Sequence, residues 1–420
     1  MTIAPLLILA GGTYQLPLIH AAQRRGLPTA LLDGDASAPG FRHADSGEVV
    51  DIADARAVIS AARRIKPRGI ASIVNEVSVT SVAAAADALG LPGIGIDVAT
   101  ACTDKFVMRT RFKRAGMRCP DFAAVATGSS AARTAADIGY PVVVKPVDSS
   151  GSRGVRRVDG PEEIEPAVTA ALSESRKRQA IVEGFLDGTE FTVETLTFDG
   201  RTEVLGISEK TRLPFPHCVS ISLTYFPFQG MPFAEGIADA AKRAIAAAGL
   251  RNGPGHVEVM QTSDGPVVIE LAARGGGYRI FSDILPAISG VDAVEAVIDQ
   301  ALGLPPRIKP AFRRGAVLRF FNPPASGILR SVAGLREAID VEGVLDVVIE
   351  AELGKPYRGI TRDGERPGYI ITVADTREGA VSAADNAERK VVFTIEPEPA
   401  GHAAGGSAGA EMAKGKGGLA

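Results

Sequence analysis

The chain has 420 residues, more than one hydrophobic core usually organises, so we expect two or three domains that share one site. Its 46 basic and 49 acidic side chains give a formal net charge of −3, which argues against a sequence-independent nucleic-acid-binding protein, because such proteins carry a basic excess. Hydrophobic residues make up 45% and charged residues 23% of the chain, an ordinary folding composition. Small-molecule chemistry is therefore the favoured class of function.

The cysteines and the amino terminus favour a cytoplasmic protein. Cys102, Cys119 and Cys218 form no CxxC pair, so neither a disulfide framework nor a thiolate zinc site is supported, and a reducing compartment is expected. The first apolar run lacks a basic region and ends at Gly11 and Gly12, which indicates a buried strand and not a signal peptide. No stretch approaches the roughly 18 apolar residues of a membrane span. We expect neither nucleic acid nor membrane as a partner.

The first hundred residues alternate short apolar runs such as LLILAGG and PTALLDGD with Ala-rich helical patterns. Strands that alternate with helices at this spacing predict a parallel sheet with helices on both faces. The glycine-rich turn after the first strand is not GxGxxG, although Asp33 ends the second strand where a dinucleotide fold would hold ribose. A dinucleotide site is therefore the disfavoured alternative.

The rest of the chain changes character twice. From TDKFVMRTRFKRAG onward, DG pairs at 187–188, 199–200 and 264–265 mark reversals between strands. After GLPPRIKPAF a further α+β module is predicted, and the last stretch has almost no large apolar residue, so we expect a disordered tail. The predicted units are an α/β domain at 1–104, a second unit rich in strand pairs at 105–304, a C-terminal α+β domain at 305–398 and the tail at 399–420.

The segment HVEVMQTSDGPVVIELAARGGG predicts a hairpin with a three-residue loop, in which Thr262 pairs with Pro266. This register places Glu258 directly opposite Glu270. Two facing carboxylates repel each other unless a cation lies between them, and paired carboxylates suit Mg²⁺. In the alternative interpretation, both side chains point into water from a solvated hairpin face.

The alternation of this hairpin also divides it into two faces. The predicted core face carries Val257, Val259, Val267, Ile269 and Leu271. The predicted opposite face carries His256, Glu258, Met260, Val268, Glu270 and Ala272. His256 shares a face with Glu258, and it either orients a ligand or simply packs there. Arg274 and three glycines follow, and such a run lets the backbone approach a ligand closely.

A second group of residues lies in GYPVVVKPVDSSGSRGV. Lys145 ends a triple-Val run, although Lys is depleted in strands and only 12 of the 46 basic residues of this chain are Lys. The Ser/Gly loop 148–154 that follows can offer backbone N–H groups and hydroxyls to phosphate oxygens, with Lys145 as a point charge. In the alternative interpretation, Lys145 only extends from a strand end to solvent.

Two weaker fragments agree with this chemistry. Thr103 and Asp104 can cap a basic helix that begins near Lys105, which can reach into an adjacent cleft. Glu183 and Glu190 lie seven residues apart around a DG turn. An exposed helix Lys and an exposed hairpin Glu remain the alternative interpretations of these two fragments.

The order of these pieces over about residues 1–400 resembles the ATP-grasp superfamily. The matching segments are TDK, YPVVVKP, DSSGSRGV, VEGFLDGTEF and HVEV…VIELAARGGG. Within the superfamily the chain is most similar to carboxylate–amine ligases of the L-amino-acid ligase type, because GVLDVVIEAELG and RPGYIITVADTREGAVSAA resemble their closing domain. The implied fold is mixed α/β and α+β, with an N-terminal parallel-sheet domain, a two-lobed ATP-binding region and a C-terminal α+β domain.

The resemblance also implies roles for individual residues. Phosphate contacts would come from Lys105, Lys145 and the loop residues Ser149, Ser150 and Gly151; adenine contacts from Glu183, Gly184 and Leu186; and ribose contacts from Glu190. Mg²⁺ would be bridged by Glu258 and Glu270, the acyl phosphate bound by Arg274 with Lys145 as its catalytic partner, and the acceptor side formed by Lys210, His217 and Gly276. Ala272 stands where many members have Asn, which puts a third protein ligand for the metal in doubt.

The implied reaction is ATP-dependent amide formation through an acyl phosphate, with an amino acid as one substrate. Mg²⁺ is the expected cofactor, Mn²⁺ its expected substitute, and a homodimer is an expectation from the family. Phosphoryl transfer needs positioning and charge neutralisation, so no Ser/His/Asp arrangement is required. One alternative is a carboxylating enzyme that activates bicarbonate, and another is a non-catalytic nucleotide-binding regulatory protein.

Overall fold

The computed structural model describes residues 3–214 and 219–397. The predicted tail at 399–420, together with His217 and Cys218, lies outside the described residues. Within the described ranges, no helix combines the length and apolar character that would be needed to cross a membrane.

The amino-terminal part of the chain is a parallel sheet covered by helices on both faces. Its elements are β1 (Leu6–Leu9), α1 (Leu16–Arg24), β2 (Thr29–Asp33), β3 (Ser46–Val49), α2 (Ala55–Ile65), β4 (Gly69–Ala71), α3 (Val79–Leu89), α4 (Ile96–Thr103) and α5 (Lys105–Arg114). The strand order is β3-β2-β1-β4, and β1 is parallel to both of its neighbours. Alternate residues of β1 enter two different apolar clusters, one with α1 and the other with α2, which is why the whole strand is apolar.

Asp33, at the end of β2, serves the turn after β1. Its carboxylate accepts hydrogen bonds from the backbone N–H groups of Gly11, at 2.6 Å, and Asp35, at 2.8 Å. Both carboxylate oxygens of Asp33 are therefore used to hold backbone. This local role accounts for the residue without a dinucleotide.

The next unit is a small antiparallel sheet packed on two helices. It contains β5 (Phe122–Val125), α6 (Gly128–Ile138), β6 (Val142–Pro146), β7 (Arg156–Val158), α7 (Ile164–Glu174) and β8 (Ala180–Gly184). The strand order is β5-β8-β6-β7. Val142, Val144 and Val182 pack with both helices in one apolar cluster. The opposite face of β6 and β8 is left for polar side chains.

A larger antiparallel sheet follows. Its first part contains β9 (Thr189–Phe198), β10 (Arg201–Arg212), β11 (Ser220–Tyr225), α8 (Pro232–Ala248), β12 (Gly253–Thr262), β13 (Gly265–Ala272), α9 (Leu285–Ser289) and α10 (Ala293–Ala301). A π-helical turn, Ile280–Ile284, leads into α9. Helix α8 buries an Ala- and Ile-rich stripe against one face of the sheet, which leaves the other face available for a site.

The carboxyl-terminal part extends the same sheet. It contains β14 (Gly315–Phe320), β15 (Gly327–Ala333), α11 (Leu335–Ile339), β16 (Val344–Ile349), β17 (Pro356–Tyr357), β18 (Gly368–Ala374), α12 (Arg377–Glu388) and β19 (Val392–Glu396). The eight-stranded order is β13-β12-β9-β10-β11-β14-β18-β16, and a second sheet has the order β17-β15-β19. Because β11 pairs with β14, the sheet is continuous across residue 305, where the sequence predicts a boundary.

The predicted fold class is confirmed. The parallel amino-terminal sheet, the small antiparallel sheet and the mixed α+β carboxyl-terminal part are all present. One apolar cluster joins β1 and α1 to α10, β14 and β18. The amino- and carboxyl-terminal parts therefore share a core, whereas the small antiparallel sheet packs with its own helices in a separate apolar cluster.

Candidate active site

A cavity of about 500 Å³ lies between the two antiparallel sheets and the loops of the amino-terminal part. The predicted site residues that line it are Lys105, Lys145, Ser149, Ser150, Gly151, Glu183, Gly184, Leu186, Glu190, Lys210, Glu258, Glu270 and Arg274. Gly276 does not line it, and His217 lies outside the described residues. The structure thus brings together side chains that are up to about 170 residues apart in the sequence, as Lys105 and Arg274 are.

One wall carries a fully buried cluster of three charges. Lys145 Nζ lies 2.7 Å from Glu183 Oε2, and Arg109 Nε lies 2.9 Å from Glu183 Oε1. Lys145 and Glu183 come from the paired strands β6 and β8, and Arg109 comes from α5. Lys145 is only 4% exposed, so it does not extend to solvent. This cluster carries two cations and one anion, and its net positive charge faces the cavity.

The pKa values in this cluster reflect burial and mutual attraction. Burial by itself raises the pKa of the Glu183 carboxyl, but Arg109 and Lys145 outweigh it and hold that pKa at about 2. Burial is the largest influence on the pKa of Lys145 and lowers it, although Glu183 lies at hydrogen-bond distance. Glu183 is therefore ionised at neutral pH, and its carboxylate is committed to its two partners.

Arg109 was not predicted from the sequence, yet a signal for it exists. The buried residues of α5 are Lys105, Met108, Arg109 and Phe112, which is the i, i+3, i+4, i+7 stripe of an amphipathic helix. Two cations on a buried stripe are unusual, because charged side chains are seldom buried unless paired. The helical periodicity therefore places Lys105 and Arg109 on the same buried face of α5.

Lys105 connects the Ser/Gly loop with the predicted metal carboxylates. Lys105 is the first residue of α5. The side chain of the N-cap residue Asp104 accepts hydrogen bonds from the backbone N–H groups of Phe106 and Val107. Lys105 Nζ donates to the Ser149 carbonyl at 2.7 Å and to Glu270 Oε1 at 2.9 Å. Burial lowers the pKa of Lys105, but Glu270 outweighs burial and the pKa is raised. The side chain therefore remains charged inside the cavity.

The loop after β6 contains two glycines whose backbone conformation other residues rarely adopt. Gly151 and Gly154 have φ values of +66° and +70°, in the left-handed region that favours glycine. The Asp148 carboxylate fixes the loop base by accepting from Ser175 Oγ at 2.7 Å and from the Lys177 backbone N–H at 3.1 Å. The base of the loop is therefore held, whereas residues 151–153 at its tip are exposed.

Glu258 and Glu270 face each other across β12 and β13, as predicted, but the turn that produces this register is different. Thr262 pairs with Gly265, and not with Pro266, so the hairpin loop has two residues. The register recovers because β13 contains one extra residue, Ile269, in a bulge opposite the Glu258–Val259 step. The predicted pair is correct, whereas the predicted loop is wrong.

This bulge changes the two faces of the hairpin. Val268 packs in the apolar cluster with Val257, Val259 and Leu271, in the place predicted for Val267 and Ile269. Ile269 instead lines the cavity. The carbonyl oxygens of Val268 and Ile269 accept hydrogen bonds from Arg109, at 3.2 Å and 2.5 Å. Arg109 therefore supports both the bulge and Glu183.

Each carboxylate of the facing pair contacts a lysine. Lys210 Nζ lies 2.5 Å from both Glu258 Oε1 and Glu190 Oε1, and Arg212 lies 2.7 Å from Glu190 Oε2. Burial raises the pKa of Glu258, but Lys210 and other nearby cations outweigh it and hold that pKa at about 2. Burial likewise lowers the pKa of Lys210, and its two carboxylate partners reverse this into a raised pKa. Lys210 thus lies between the predicted ribose and metal residues.

The facing carboxylates fit a divalent cation by their chemistry. Both line the cavity on one face of the hairpin, and oxygen donors of this kind suit Mg²⁺, whose shell is usually completed by water and substrate phosphates. Within residues 3–214 and 219–397, no group of three or more His, Cys, Asp or Glu side chains is arranged to hold a metal by itself. Any metal at this pair would need further ligands.

Arg274 lies at the junction of the sheet and the amino-terminal part. Its Nε donates to Glu76 Oε2 at 2.6 Å, and its NH1 donates to the Gly275 carbonyl at 2.9 Å. Burial lowers the pKa of Arg274, but Glu76 outweighs burial and the pKa is raised. Glu76, which no sequence motif indicated, is the residue that orients this guanidinium group.

The three glycines after Arg274 have different reasons to be glycine. A Cβ on Gly275 would lie 2.1 Å from Phe281, and one on Gly276 would lie 2.7 Å from Glu194 Oε1. Packing therefore explains these two positions, although the sequence suggested close approach of a ligand. Gly277 does line the cavity, and a Cβ there would meet nothing within 4 Å.

The far end of the cavity is aromatic and was not anticipated. The Arg366 guanidinium lies 3.8 Å from the Phe320 ring centre and 4.9 Å from that of Tyr278, and it donates to the Ser220 carbonyl at 2.7 Å. Tyr278 OH donates to the Asp363 carbonyl at 2.9 Å. These contacts join residues far apart in the sequence, so no local pattern could have indicated them.

Comparisons with known proteins agree with this geometry. Residues 138–282 match the family described as ATP-grasp domain, and residues 319–396 match L-amino acid ligase C-terminal domain 2. The L-arginine-specific L-amino acid ligase of Bacillus subtilis is 25% identical over 264 residues, which are 61% of this chain and 63% of that enzyme. The chain thus matches slightly less than two thirds of that relative.

Two solved structures share the fold. An L-amino acid ligase from Bacillus licheniformis has a TM-score of 0.79 at 23% identity, covering 94% of this chain and 100% of that one. An N5-carboxyaminoimidazole ribonucleotide synthetase from Thermotoga maritima has a TM-score of 0.71 at 17% identity, with 94% and 100% coverage. The resemblance inferred from the motifs is confirmed. The chain therefore contains an ATP-grasp domain followed by an L-amino acid ligase C-terminal domain 2, and these domains support an ATP-dependent, ADP-forming ligase of the class that forms carbon–nitrogen bonds.

Proposed function

We propose that this enzyme joins a carboxylate to an amine through an acyl phosphate, with an amino acid as one substrate. The observation that carries the proposal is one cavity that combines two buried lysines, a facing carboxylate pair and Arg274, beside a C-terminal domain of the L-amino acid ligase type. Phosphoryl transfer depends mainly on positioning and charge neutralisation, and these residues supply both.

The nucleotide lies against the small antiparallel sheet in this proposal. Lys145 and Lys105 contact its phosphates, and the loop with Ser149, Ser150 and Gly151 covers them. Because the Glu183 carboxylate is occupied by Lys145 and Arg109, we assign adenine contacts to the backbone of Gly184 and Leu186. Glu183 then acts by holding Lys145 in place. Glu190 binds the ribose hydroxyls while its carboxylate keeps part of its contact with Lys210 and Arg212.

Glu258 and Glu270 hold the Mg²⁺ that ATP-grasp enzymes use, and we propose that Mn²⁺ can replace it. When bound, the cation neutralises charge on the transferring phosphoryl group. Lys105 and Lys210, which contact these carboxylates in the structure, are long enough to turn toward phosphate oxygens instead.

The reaction balances in two steps. A carboxylate oxygen of the first substrate attacks the γ-phosphorus of ATP, the bond to the β-phosphate oxygen breaks, and ADP leaves. The amine nitrogen of the second substrate then attacks the acyl carbon, inorganic phosphate leaves, and the nitrogen loses a proton. Arg274, held by Glu76, binds the carboxylate and then the acyl phosphate. The walls of the cavity exclude water, which would otherwise hydrolyse this intermediate.

The test is to incubate the full chain with ATP, Mg²⁺ and amino acids in pairs. We expect ADP and phosphate to be released only with a productive pair, and mass spectrometry to find a product equal to both substrates minus one water. ADP release that depends on bicarbonate and on no other carboxylate would instead establish the carboxylating alternative. ATP binding without ADP release under any condition would establish the non-catalytic alternative.

Location and assembly are further parts of the proposal. A reaction that consumes ATP belongs in the cytoplasm, where ATP is supplied and where cysteines such as Cys102 and Cys119 stay reduced. A homodimer is proposed from the family, and sedimentation of the purified chain at several concentrations would test it.

A further inference from the structure

A second cavity, of about 230 Å³, lies between the amino-terminal sheet and the large sheet. Its walls come from the end of β4, from α3, from the start of β12 and from α10. Most of the side chains that line it are apolar, and they include Ile70, Val79, Val82, Ile94, Phe198, Val297 and Leu304. Leu304 is 43% exposed, which places one end of this cavity at the protein surface.

The size of the second cavity exceeds what ordinary packing leaves behind. Protein interiors are close-packed, and voids larger than a water molecule are few. An apolar cavity of about 150 Å³ is already large enough to bind benzene. Three apolar clusters meet at this cavity, since Ile70, Val79 and Val297 belong to different ones. Its walls are therefore held by three separate cores, and the space between them suits a small apolar molecule.

The polar end of the second cavity adjoins the active site. Asn75 and Arg274 line both cavities, and among the described residues that line the second one, Arg274 alone is charged. Arg274 Nε and NH1 donate to Glu76 and to the Gly275 carbonyl, whereas NH2 makes no hydrogen bond within the described ranges. Asn75 Oδ1 accepts from the Ser78 backbone N–H at 2.9 Å, which leaves the amide NH2 group of Asn75 as a donor. An apolar space that ends at one cation and one amide donor favours an amphipathic anion.

We propose that this cavity is a second small-molecule site, which binds an aliphatic carboxylate with its carboxylate group on Arg274 and Asn75. Binding is independent of the proposed function, but its consequence for turnover rests on the role proposed there for Arg274. A carboxylate in the second cavity neutralises the guanidinium group and weakens its attraction for the carboxylate substrate. An aliphatic acid therefore slows the enzyme from outside the active-site cavity.

The first test measures binding and needs no turnover. Carbon-14-labelled 4-methylpentanoate is dialysed against the full chain in the presence of Mg²⁺ and a non-hydrolysable ATP analogue. We expect saturable binding of the acid. The uncharged 4-methylpentanamide has nearly the same shape and should bind at least about 10-fold more weakly, because it cannot form a charge-assisted hydrogen bond with Arg274.

Two variants that fill the second cavity test where the acid binds. Val82→Phe and Ala301→Leu add volume from α3 and α10, and each should weaken binding of the acid by at least about 10-fold. Neither residue lines the active-site cavity, so both variants should bind the ATP analogue as the unmodified chain does, which also shows that they fold. Val392→Phe is the matched control, because Val392 is 56% exposed and lines neither cavity.

A fluorescent reporter gives a second measure of location. The chain contains no Trp, so Leu304→Trp places a single indole at the exposed end of the second cavity. Its emission should shift saturably as 4-methylpentanoate is added. The emission of Val392→Trp should not change.

The consequence for turnover is tested with a productive substrate pair. Saturating 4-methylpentanoate should raise KM for the carboxylate substrate by about 5-fold while kcat stays within about 2-fold. This effect should reach a plateau, whereas competition within the active site would increase without limit. Val82→Phe should keep the basal kcat and KM and lose the response to the acid.

Other outcomes would overturn the inference. It is wrong if the unmodified chain does not bind 4-methylpentanoate at concentrations up to about 10 mM, or if the amide binds as tightly as the acid. It is also wrong if both cavity-filling variants bind the acid normally and the emission of Leu304→Trp stays constant. A chain that binds the acid in the second cavity but never releases ADP would contradict the proposed function alone.

Discussion

The cavity has two charged walls that are built on different principles. On the small antiparallel sheet, Glu183 is enclosed by Lys145 and Arg109, and all three side chains are at most 5% exposed. On the large sheet, Glu258 and Glu270 face each other, and each contacts a different lysine, Lys210 on β10 and Lys105 on α5. The first wall therefore surrounds one anion with two cations, whereas the second pairs each of two anions with a lysine.

This difference assigns a separate task to each wall. A buried anion with two fixed cations leaves a positive charge that cannot reorganise, which suits the binding of phosphate that is always anionic. Facing carboxylates that are each paired with a lysine can accept a cation together with its phosphate ligands. In the proposed function, the lysines then gain phosphate oxygens in exchange for carboxylates. On that proposal, one wall is preorganised for the nucleotide, and the other responds to it.

Removal of Glu270 should have the largest effect, because it dismantles the responsive wall. Glu270→Ala leaves Glu258 without its facing partner and frees Lys105. We expect Mg²⁺-dependent ADP production to fall by at least about 1,000-fold, as when a main electrostatic group of an active site is lost. An ADP-release assay over a range of Mg²⁺ concentrations measures it.

Two controls accompany this variant. The circular dichroism spectrum of Glu270→Ala should match that of the unmodified chain, because Glu270 lies at the cavity surface of an edge strand. Glu162→Ala removes an exposed carboxylate from a turn outside the cavity and should change nothing. Activity retained in Glu270→Ala would mean that the pair only faces solvent.

Loss of Lys145 tests the preorganised wall and should have the next largest effect. In Lys145→Ala, the net positive charge of the buried cluster disappears, since Arg109 and Glu183 then cancel. We expect kcat/KM for ATP to fall by about 100- to 1,000-fold. Steady-state kinetics and nucleotide titration measure it, with the exposed Lys113→Ala as the matched control. Unchanged turnover and nucleotide affinity would show that Lys145 has only a structural role.

The sequence predicted the facing carboxylates of the second wall correctly, but from a hairpin loop of the wrong length. The facing pair followed from a hairpin register, and the pair is correct, yet the loop has two residues and the register recovers only through the bulge at Ile269. The bulge depends on Arg109, whose guanidinium binds the Val268 and Ile269 carbonyls. Local pattern cannot supply such a contact, since it joins α5 to β13.

The first wall and the far end of the cavity show the same limit. Lys145 could be selected from the sequence because it is a lysine in an apolar strand. Arg109 belongs to the same charge cluster, but it could be selected only by recognising that one face of α5 is buried. The Arg366, Tyr278 and Phe320 contacts depend on how the last part of the chain folds back on the large sheet. Motif residues next to strands were predictable, whereas side chains that orient them from other elements were not.

The smallest expected effect is a loss of folding stability in acid, and it concerns the preorganised wall alone. The pKa of Glu183 is about 2 in the folded chain against an ordinary value of 4.5. Because the folded pKa is depressed, this carboxylate stabilises the fold above about pH 4.5, and that contribution is lost as the pH falls toward 2. The loss should be about 3 kcal/mol, at about 1.4 kcal/mol per pKa unit.

Urea unfolding between pH 5 and about pH 2.5 would isolate this contribution, with Glu183→Gln as the comparison. The glutamine variant should be less stable at pH 5, because Lys145 and Arg109 lose their shared anion, but its stability should fall less steeply with acid. The two curves should therefore converge as the pH falls. Parallel curves would mean that Glu183 is not the anion that holds the cations of this wall. They would contradict the distinction between a preorganised and a responsive wall.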